Sequence, residues 1–520
     1  MTTLVLGLDG AAFELLDEWL KRGELSNIER LQNEGIATDM RSCLPPVTCP
    51  NWRCYTTGVN PGKLGVFWWE DIDRETETIS NASSADQFDG TEYWTAISEQ
   101  TAVINFPTGF PPSNIDGDFI AGGPGSEQSG FTSPEKLEAS LRSRFDYQVH
   151  PEQLGLLEKT NEDNPCIDEI HRLIDLRFDV VEEYLSSGEY ELIHATVFYI
   201  NVLQHFYWNK DVVLEAWRHI DERIGDLLDS PRLDDLIIMS DHGSNRIDTE
   251  FHINTWLEQQ GYLVRKSSTS DLLHTLGLTR ERVRPLLNQF GLEWWARKLL
   301  PAKVKDLLPD SDGRVKKSAK AEAIDWGDSK AIASGQGPVY ILSNEETERR
   351  DIRNELLRKL DGLEGPGGQT VVSAARPAES VWEGPYVDEG PDLVLEQAPN
   401  VYIDGSIGAN DAFEGPGRWM GENKDTGLFI AYGSSFRSDA TLEDMHILDI
   451  APTLLHQFGE DVPNEMDGRP RVELFAPGTD AASRTVSYSD QEWVTERDDA
   501  HAPAEGDVQD RLSDLGYLSE

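Results

Sequence analysis

The chain has 520 residues, with 94 acidic against 46 basic side chains and a formal net charge of −48. That length is too great for one simple core and predicts either one large α/β domain with an insertion or two domains. Such an acidic surface repels nucleic acid and anionic membrane, so neither is expected as a partner. The charge is spread along folded-looking sequence, as expected of a halophilic protein in a salt-rich cytoplasm where screening removes self-repulsion. It would repel an anionic substrate too, unless a bound cation reverses the sign locally.

Met1 to Leu6 lacks a basic region and a cleavage site, so it reads as a first strand rather than a signal. No apolar run approaches the roughly 18 to 20 residues of a membrane span. The cysteines Cys43, Cys49, Cys54 and Cys166 contain no Cys-x-x-Cys pair and suggest reduced thiols in a cytoplasmic protein.

In chain order, Leu4 to Leu8 is a short apolar run ending in Asp9-Gly10, the pattern of a buried parallel strand with a carboxylate at its carboxyl end. Ser26 to Glu29 has a capping-box pattern. Ala102 to Asn105 reads as a strand, and Ser133-Pro134 as a helix start. Ile167, Ile170, Leu173, Ile174, Phe178, Val181 and Leu185 recur at helical spacing. A strand over Leu192 to Phe198 precedes a helix around Val213 to Leu228. Leu236 to Met239 is a strand running into Ser240-Asp241-His242-Gly243. Later strands are expected at 337–342, 391–395 and 427–431, and a helix opening at Asp449. Alternating strands and helices imply a doubly wound, mainly parallel α/β sheet with helices on both faces, whose sites gather at the carboxyl ends of the strands.

The expected division is a first core segment over 1–265, a basic helical insertion over 266–325, a second core segment over 326–485, and an acidic mobile tail over 486–520. Within the insertion, Arg280, Arg297, Lys298 and Lys316 interleave with Leu286, Phe290, Trp294 and Trp295. It reads as a solvated cap with an apolar underside, as a lid over a bulky anionic or lipid-like substrate, or as a surface that docks on a membrane.

Candidate chemistry centres on Pro45-Pro46-Val47-Thr48-Cys49-Pro50-Asn51-Trp52. A threonine hydroxyl becomes a nucleophile only beside a base or a cation. A divalent cation both lowers its pKa and neutralises a phosphate or sulfate oxygen. Asp9, Asp241 and His242 sit at or just past strand ends and His205 follows the Leu192 to Phe198 strand, where they can converge as ligands. Taken singly each has a plainer reading: a cap for Asp9, a core histidine for His205, a turn for Asp241-His242 and a turn threonine for Thr48.

Taken together and in order, Asp9, Val47-Thr48-Cys49-Pro50-Asn51-Trp52, Asn201-Val-Leu-Gln-His205-Phe-Tyr-Trp208, Asp241-His242-Gly243 and Asp467-Gly468-Arg469-Pro470 resemble the type I phosphodiesterase/nucleotide pyrophosphatase branch of the alkaline phosphatase superfamily. The resemblance covers roughly 3–260 and 330–470. It implies an alkaline phosphatase-like α/β core and a site for one or two divalent ions, usually zinc, with manganese or magnesium as alternatives. By position, Asp9, Thr48, Asp241 and His242 would hold the ion that activates Thr48. Asn51 would donate to a phosphoryl oxygen, and His205 would bind the other ion. The implied reaction is hydrolysis of a phosphodiester or pyrophosphate, on a small molecule or a glycan- or lipid-linked phosphate ester, through a phosphothreonine intermediate.

Two departures fall on the second ion. Asn201 stands where the family has an aspartate, and Asn423 stands near the family's last histidine ligand. An amide oxygen supplies no charge, so this position should be weakened. His252, with Asp248 nearby, is a possible replacement and otherwise a packing residue. The departures leave open a family member that binds a phosphorylated ligand without turnover. A sulfate-ester or phosphonate hydrolase on the same scaffold is a third reading, although the Cys49-Pro50 and Arg53 spacing does not match a sulfatase nucleophile.

Overall fold

The structure, a computed structural model, describes residues 1–82, 88–152, 154, 157, 164–208, 210–266, 320–439 and 442–494. The strands that position the site are, in chain order, β1 (Thr3–Leu8), β2 (Ile36–Arg41), β3 (Thr101–Pro107), β4 (Gly117–Gly122), β5 (Thr132–Ser133), β6 (Leu192–Val197), β7 (Asp235–Met239), β8 (Gly243–Arg246), β9 (Thr249–His252), β10 (Val401–Asp404), β11 (Phe413–Glu414), β12 (Gly421–Lys424), β13 (Thr426–Gly433) and β14 (Met445–His446). The helices that matter are α1 (Thr48–Thr57), α2 (Pro165–Ser187), α3 (Tyr199–Tyr207), α4 (Asp211–Leu228) and α5 (Ile450–Phe458).

Nine of these strands form one sheet in the order β14-β2-β13-β7-β1-β6-β3-β4-β5. Its centre, β7-β1-β6-β3-β4, is wholly parallel, while β13 runs antiparallel to both β7 and β2. Every residue of β1, β6 and β7 is buried. That burial explains their continuous apolar runs, because helices cover both faces and no solvent side exists to favour alternation. The seven residues expected to form the buried stripe of the helix over 165–187 are all buried in α2.

One packing detail in this core shapes the site. Gly7 lies in the middle of β1, and a Cβ there would come within 2.4 Å of the Trp52 ring. The missing side chain makes room for the indole, which packs edge-on against Tyr55, Phe106 and His194.

The strands expected at 337–342 and 391–395 form Pro338–Ile341 and Leu393–Gln397. They belong to a separate four-stranded antiparallel sheet with its own core around Phe251, Ile332, Tyr340 and Leu356. The second segment therefore rejoins the main sheet only at β13.

Two local expectations need correction. Ser26 is already the first residue of its helix (Ser26–Glu34) and makes no side-chain cap. Instead the Asp221 carboxylate accepts from the Asn27 and Ile28 amides at 3.1 and 2.8 Å, doing from α4 what a local cap would do. The helix expected from Ser133-Pro134 begins at Lys136. The start of the expected 486–520 tail makes tertiary contacts: Tyr488–Ser489 pairs with Val462–Pro463, and Trp493 is buried with its indole N–H on Thr57 O at 2.7 Å. Of the basic insertion, 267–319 lies outside the described residues, as does 495–520. Among the described residues no helix is long and apolar enough to cross a membrane, and all four cysteines are free and buried.

Candidate active site

β1 and β7 are parallel neighbours, with Gly7 opposite Met239. Their carboxyl ends therefore release Asp9 and the Asp241-His242 pair side by side, at the edge where doubly wound sheets place their sites. The Gly10 amide, in the turn after β1, donates to Asp241 Oδ1 at 3.3 Å. The third contribution is Thr48, in the first turn of α1. Thr48 Oγ1 lies 3.1 Å from His242 Nε2, which is 3.2 Å from Asp241 Oδ2 and 3.8 Å from Asp9 Oδ1.

Hydrogen bonds orient each group. His242 Nδ1 is 2.9 Å from Gly243 O, which can only accept, so Nδ1 carries the proton and Nε2 presents a lone pair. Trp52 donates its indole N–H to Asp9 Oδ2 at 2.9 Å. This leaves Asp9 Oδ1 and Asp241 Oδ2, both fully buried, without a hydrogen-bond partner. Ligand atoms of Asp9, Asp241 and His242 all lie within 4.8 Å of one another.

Burial pushes the Asp9 carboxyl up to about 8, against the opposing hydrogen bonds from Trp52 and Asn201. Burial, and then the charge of Asp9, raises Asp241 well above the usual carboxylate range. Burial lowers His242 to about 4, so its imidazole is neutral at pH 7. Two converging carboxylates with unmatched oxygens, a neutral imidazole and a hydroxyl form a donor set that fits a divalent cation.

The neighbouring position is built differently. Trp217 donates to Gln204 Oε1 at 3.1 Å, so Gln204 Nε2 must be the donor that meets Asn201 Oδ1 at 3.2 Å. Asn201 therefore turns its NH2 group to His205 Nε2, 3.1 Å away, and to the Asp9 carboxylate. His205 Nδ1 faces Gly421 O at 2.8 Å. Burial lowers the His205 pKa to about 3, so this imidazole is neutral as well. Asn423, on β12, is fully buried with both amide atoms unmatched. Asn201, His205 and Asn423 bring no carboxylate of their own, and an amide hydrogen covers the His205 lone pair. As placed, these three residues do not fit a second cation.

The remaining expected residues fall elsewhere. Asn51 does not face the cluster: its Oδ1 accepts from Cys43 N at 2.8 Å, and its Nδ2 is 3.0 to 3.2 Å from the carbonyls of Cys43, Pro45 and Val47. Two amide hydrogens shared among three carbonyls leave none for a phosphoryl oxygen, so Asn51 braces the loop that delivers Thr48. His252 joins a different cluster, with Glu250 and Glu414. Asp248 is exposed and pairs with Arg246 at 2.9 Å. Asp467 accepts from the Asn60 amide at 2.8 Å and pairs with Lys63, holding the segment after α1. Trp52 and Gln204, which orient the ligands, were not among the expected residues. Trp52 follows Thr48 by one helical turn, and that spacing is the only local signal of its position.

Among solved structures, the chain is similar to phosphonoacetate hydrolase from Sinorhizobium meliloti in complex with phosphonoformate. The identity is 13% and the TM-score 0.54, over 87% of this chain and 94% of that one. It is also similar to mouse ectonucleotide pyrophosphatase/phosphodiesterase 5, at 11% identity and a TM-score of 0.50 over 92% and 100% of the two chains. At these identities the likeness establishes the alkaline phosphatase-like fold. No curated protein matches. The model of the type I phosphodiesterase/nucleotide pyrophosphatase family matches residues 3–410, which include Asp9, Thr48, Asn201, His205, Asp241 and His242, and the chain belongs to that family.

Proposed function

We propose that the protein is a divalent-metal-dependent hydrolase of phosphate esters, acting on a diester or pyrophosphate with Thr48 as nucleophile. The observation that carries this reading is the Thr48 hydroxyl, 3.1 Å from His242 Nε2 and beside two buried carboxylates with unmatched oxygens. Asp9, Asp241, His242 and Thr48 would hold the ion. Zinc suits this mixed nitrogen and oxygen set, and manganese or magnesium would serve similar oxygens. When bound, the ion would lower the pKa of the threonine hydroxyl and neutralise a phosphoryl oxygen.

The chain's own residues supply the rest. The Asn51 brace fixes the loop so that Thr48 opens α1, where the positive end of the helix favours an anionic group. Thr48 Oγ1 forms a bond to phosphorus as the ester bond breaks. The hydroxyl proton passes to water, and the departing oxygen takes up a proton from water. Water then cleaves the phosphothreonine, and the free hydroxyl returns. The supporting test is turnover of a generic phosphodiester in high salt by the unaltered protein and by Thr48→Ala. The variant should keep its metal and lose roughly a thousandfold or more in kcat/KM. Loss of less than tenfold would contradict the reading.

A second reading, binding of a phosphorylated ligand without turnover, is favoured by the Asn201 amide that covers His205 Nε2. It expects no turnover by the unaltered protein, with phosphate-ester binding that survives Thr48→Ala. Phosphonate or sulfate-ester hydrolysis would show as the same Thr48 dependence with a different substrate.

A further inference from the structure

A second knot of ionisable side chains is buried on the far face of the β8–β12 ribbon. Glu422 and Asn423 are adjacent on β12, so their side chains leave opposite faces. Asn423 pairs with Ser244, whose hydroxyl bonds Gly10 O beside the candidate active site. Glu422 pairs with Asn245, and the charges of Glu250 and Asp404, on the small sheet β10-β9-β11, act on it.

On that sheet Glu250 and His252 are two residues apart on β9, hence on one face, and Glu414 lies directly opposite Glu250 on β11. Two carboxylates directly opposite each other oppose the pairing unless a positive group lies between them. His252 Nε2 is 3.3 Å from Glu414 Oε2 and 3.9 Å from Glu250 Oε2. Its Nδ1 meets Asp404 Oδ2 at 3.0 Å, and Ser406 holds Asp404 through its amide and hydroxyl at 2.7 and 2.8 Å. A carboxylate on Nδ1 is the arrangement that orients a metal-ligating histidine, because it aims the Nε2 lone pair at the ion. Glu250 is fixed in the same way: Gly417 N donates to Oε1 at 2.6 Å, and Oε2 turns towards His252.

The independent sign is Glu422. It is fully buried, its Oε1 takes the Asn423 amide and the Gln336 side chain, and its Oε2 has no hydrogen-bond partner. The charges of Glu250 and Asp404 act on it, so it lies near this cluster, outside the spacing that Glu250, His252 and Glu414 share.

We propose that Glu250, His252 and Glu414, with the buried Glu422 nearby, hold a structural divalent cation of the zinc or manganese type, separate from any ion at Asp9, Asp241 and His242. Bonds of about 2.0 to 2.2 Å at tetrahedral angles put donor atoms roughly 3.3 to 3.6 Å apart. The two His252 distances match that spacing to within a few tenths of an ångström. The ion would clamp β9 to β11 and to the segment carrying β12, whose Gly421 carbonyl orients His205. Glu414, with 30% of its side chain exposed, offers a route of entry.

The proposal does not rest on the enzymatic reading, and its test keeps the two apart. The full chain, purified in high salt and equilibrated with zinc or manganese, is assayed for bound metal and crystallised for anomalous scattering at the metal edge. The expected result is an anomalous peak among Glu250, His252 and Glu414, with the loss of one ion per chain in His252→Ala and in Glu414→Gln. Asp241→Asn should lose a different ion and keep this peak. If His252→Ala fails to fold, the milder Glu414→Gln and the map of the unaltered protein decide. No peak at these residues, or metal content unchanged in Glu414→Gln, would overturn the proposal and identify the knot as a proton-sharing or ion-paired cluster.

Discussion

Asn201 Nδ2 lies 3.1 Å from His205 Nε2, so an amide hydrogen occupies the lone pair through which an imidazole would bind an ion. The Asn201→Asp variant removes that hydrogen and supplies a charge. We expect it to raise bound metal at this position, and Asn201→Asp with Asn423→His to bind close to one further ion per chain. Without added metal, a third carboxylate beside Asp9 and Asp241 should cost about 3 kcal/mol of stability. Metal analysis and urea unfolding with and without zinc check both effects. Unchanged metal content in the double variant would show that the position has been rebuilt beyond these two residues.

The Trp52 indole donates to Asp9 Oδ2, and it sits in the space left by Gly7. Trp52→Phe keeps most of the packing and loses the N–H. The expected outcome is about 1.5 to 3 kcal/mol of lost stability in the metal-free protein and roughly tenfold weaker metal binding. Metal titration and denaturant unfolding on the same preparations measure the two effects.

His194 gives a pH signature away from the metal ligands. It is fully buried between Tyr55 and Thr196, and burial lowers its pKa from 6.5 to about 3. Below pH 6.5 the unfolded chain takes up a proton that the folded chain refuses. Stability from this residue is therefore fully present above pH 6.5 and falls by up to about 1.4 kcal/mol per pH unit as pH drops towards 3. Unfolding measured between pH 7 and 5 should show a shallower slope in His194→Gln than in the unaltered protein.

The net charge of −48 predicts a strong dependence on ionic strength. Screening lengths shrink from about 10 Å at 0.1 M salt to about 3 Å at 1 M, so self-repulsion rises steeply on dilution. The thermal midpoint should fall as potassium chloride is lowered from molar to tenth-molar, and sucrose should not replace the salt. An unchanged midpoint would separate the acidity from habitat.

Much of this was legible in the sequence for one reason. Asp9 and Asp241-His242 directly follow buried apolar runs, and adjacent parallel strands must release their ends together. The offset of Asn51 from Thr48 cannot say whether an amide faces a pocket or its own loop, and in the structure three backbone carbonyls claim it. Gln204 was invisible as an orienting group, since its role depends on Trp217 in another helix. The Glu250-x-His252 pair could have been noticed by its strand spacing, but Glu414 and Glu422 reach it only through pairings across more than a hundred and fifty residues.

The most direct test of the central claim is to quench turnover of a phosphodiester in acid within the first cycle and sequence the peptide containing Thr48 by mass spectrometry. The account predicts a phosphoryl adduct on Thr48 that vanishes when Asp241→Asn removes the neighbouring carboxylate charge. Turnover with no adduct at Thr48, and with kcat unchanged in Thr48→Ala, would contradict it.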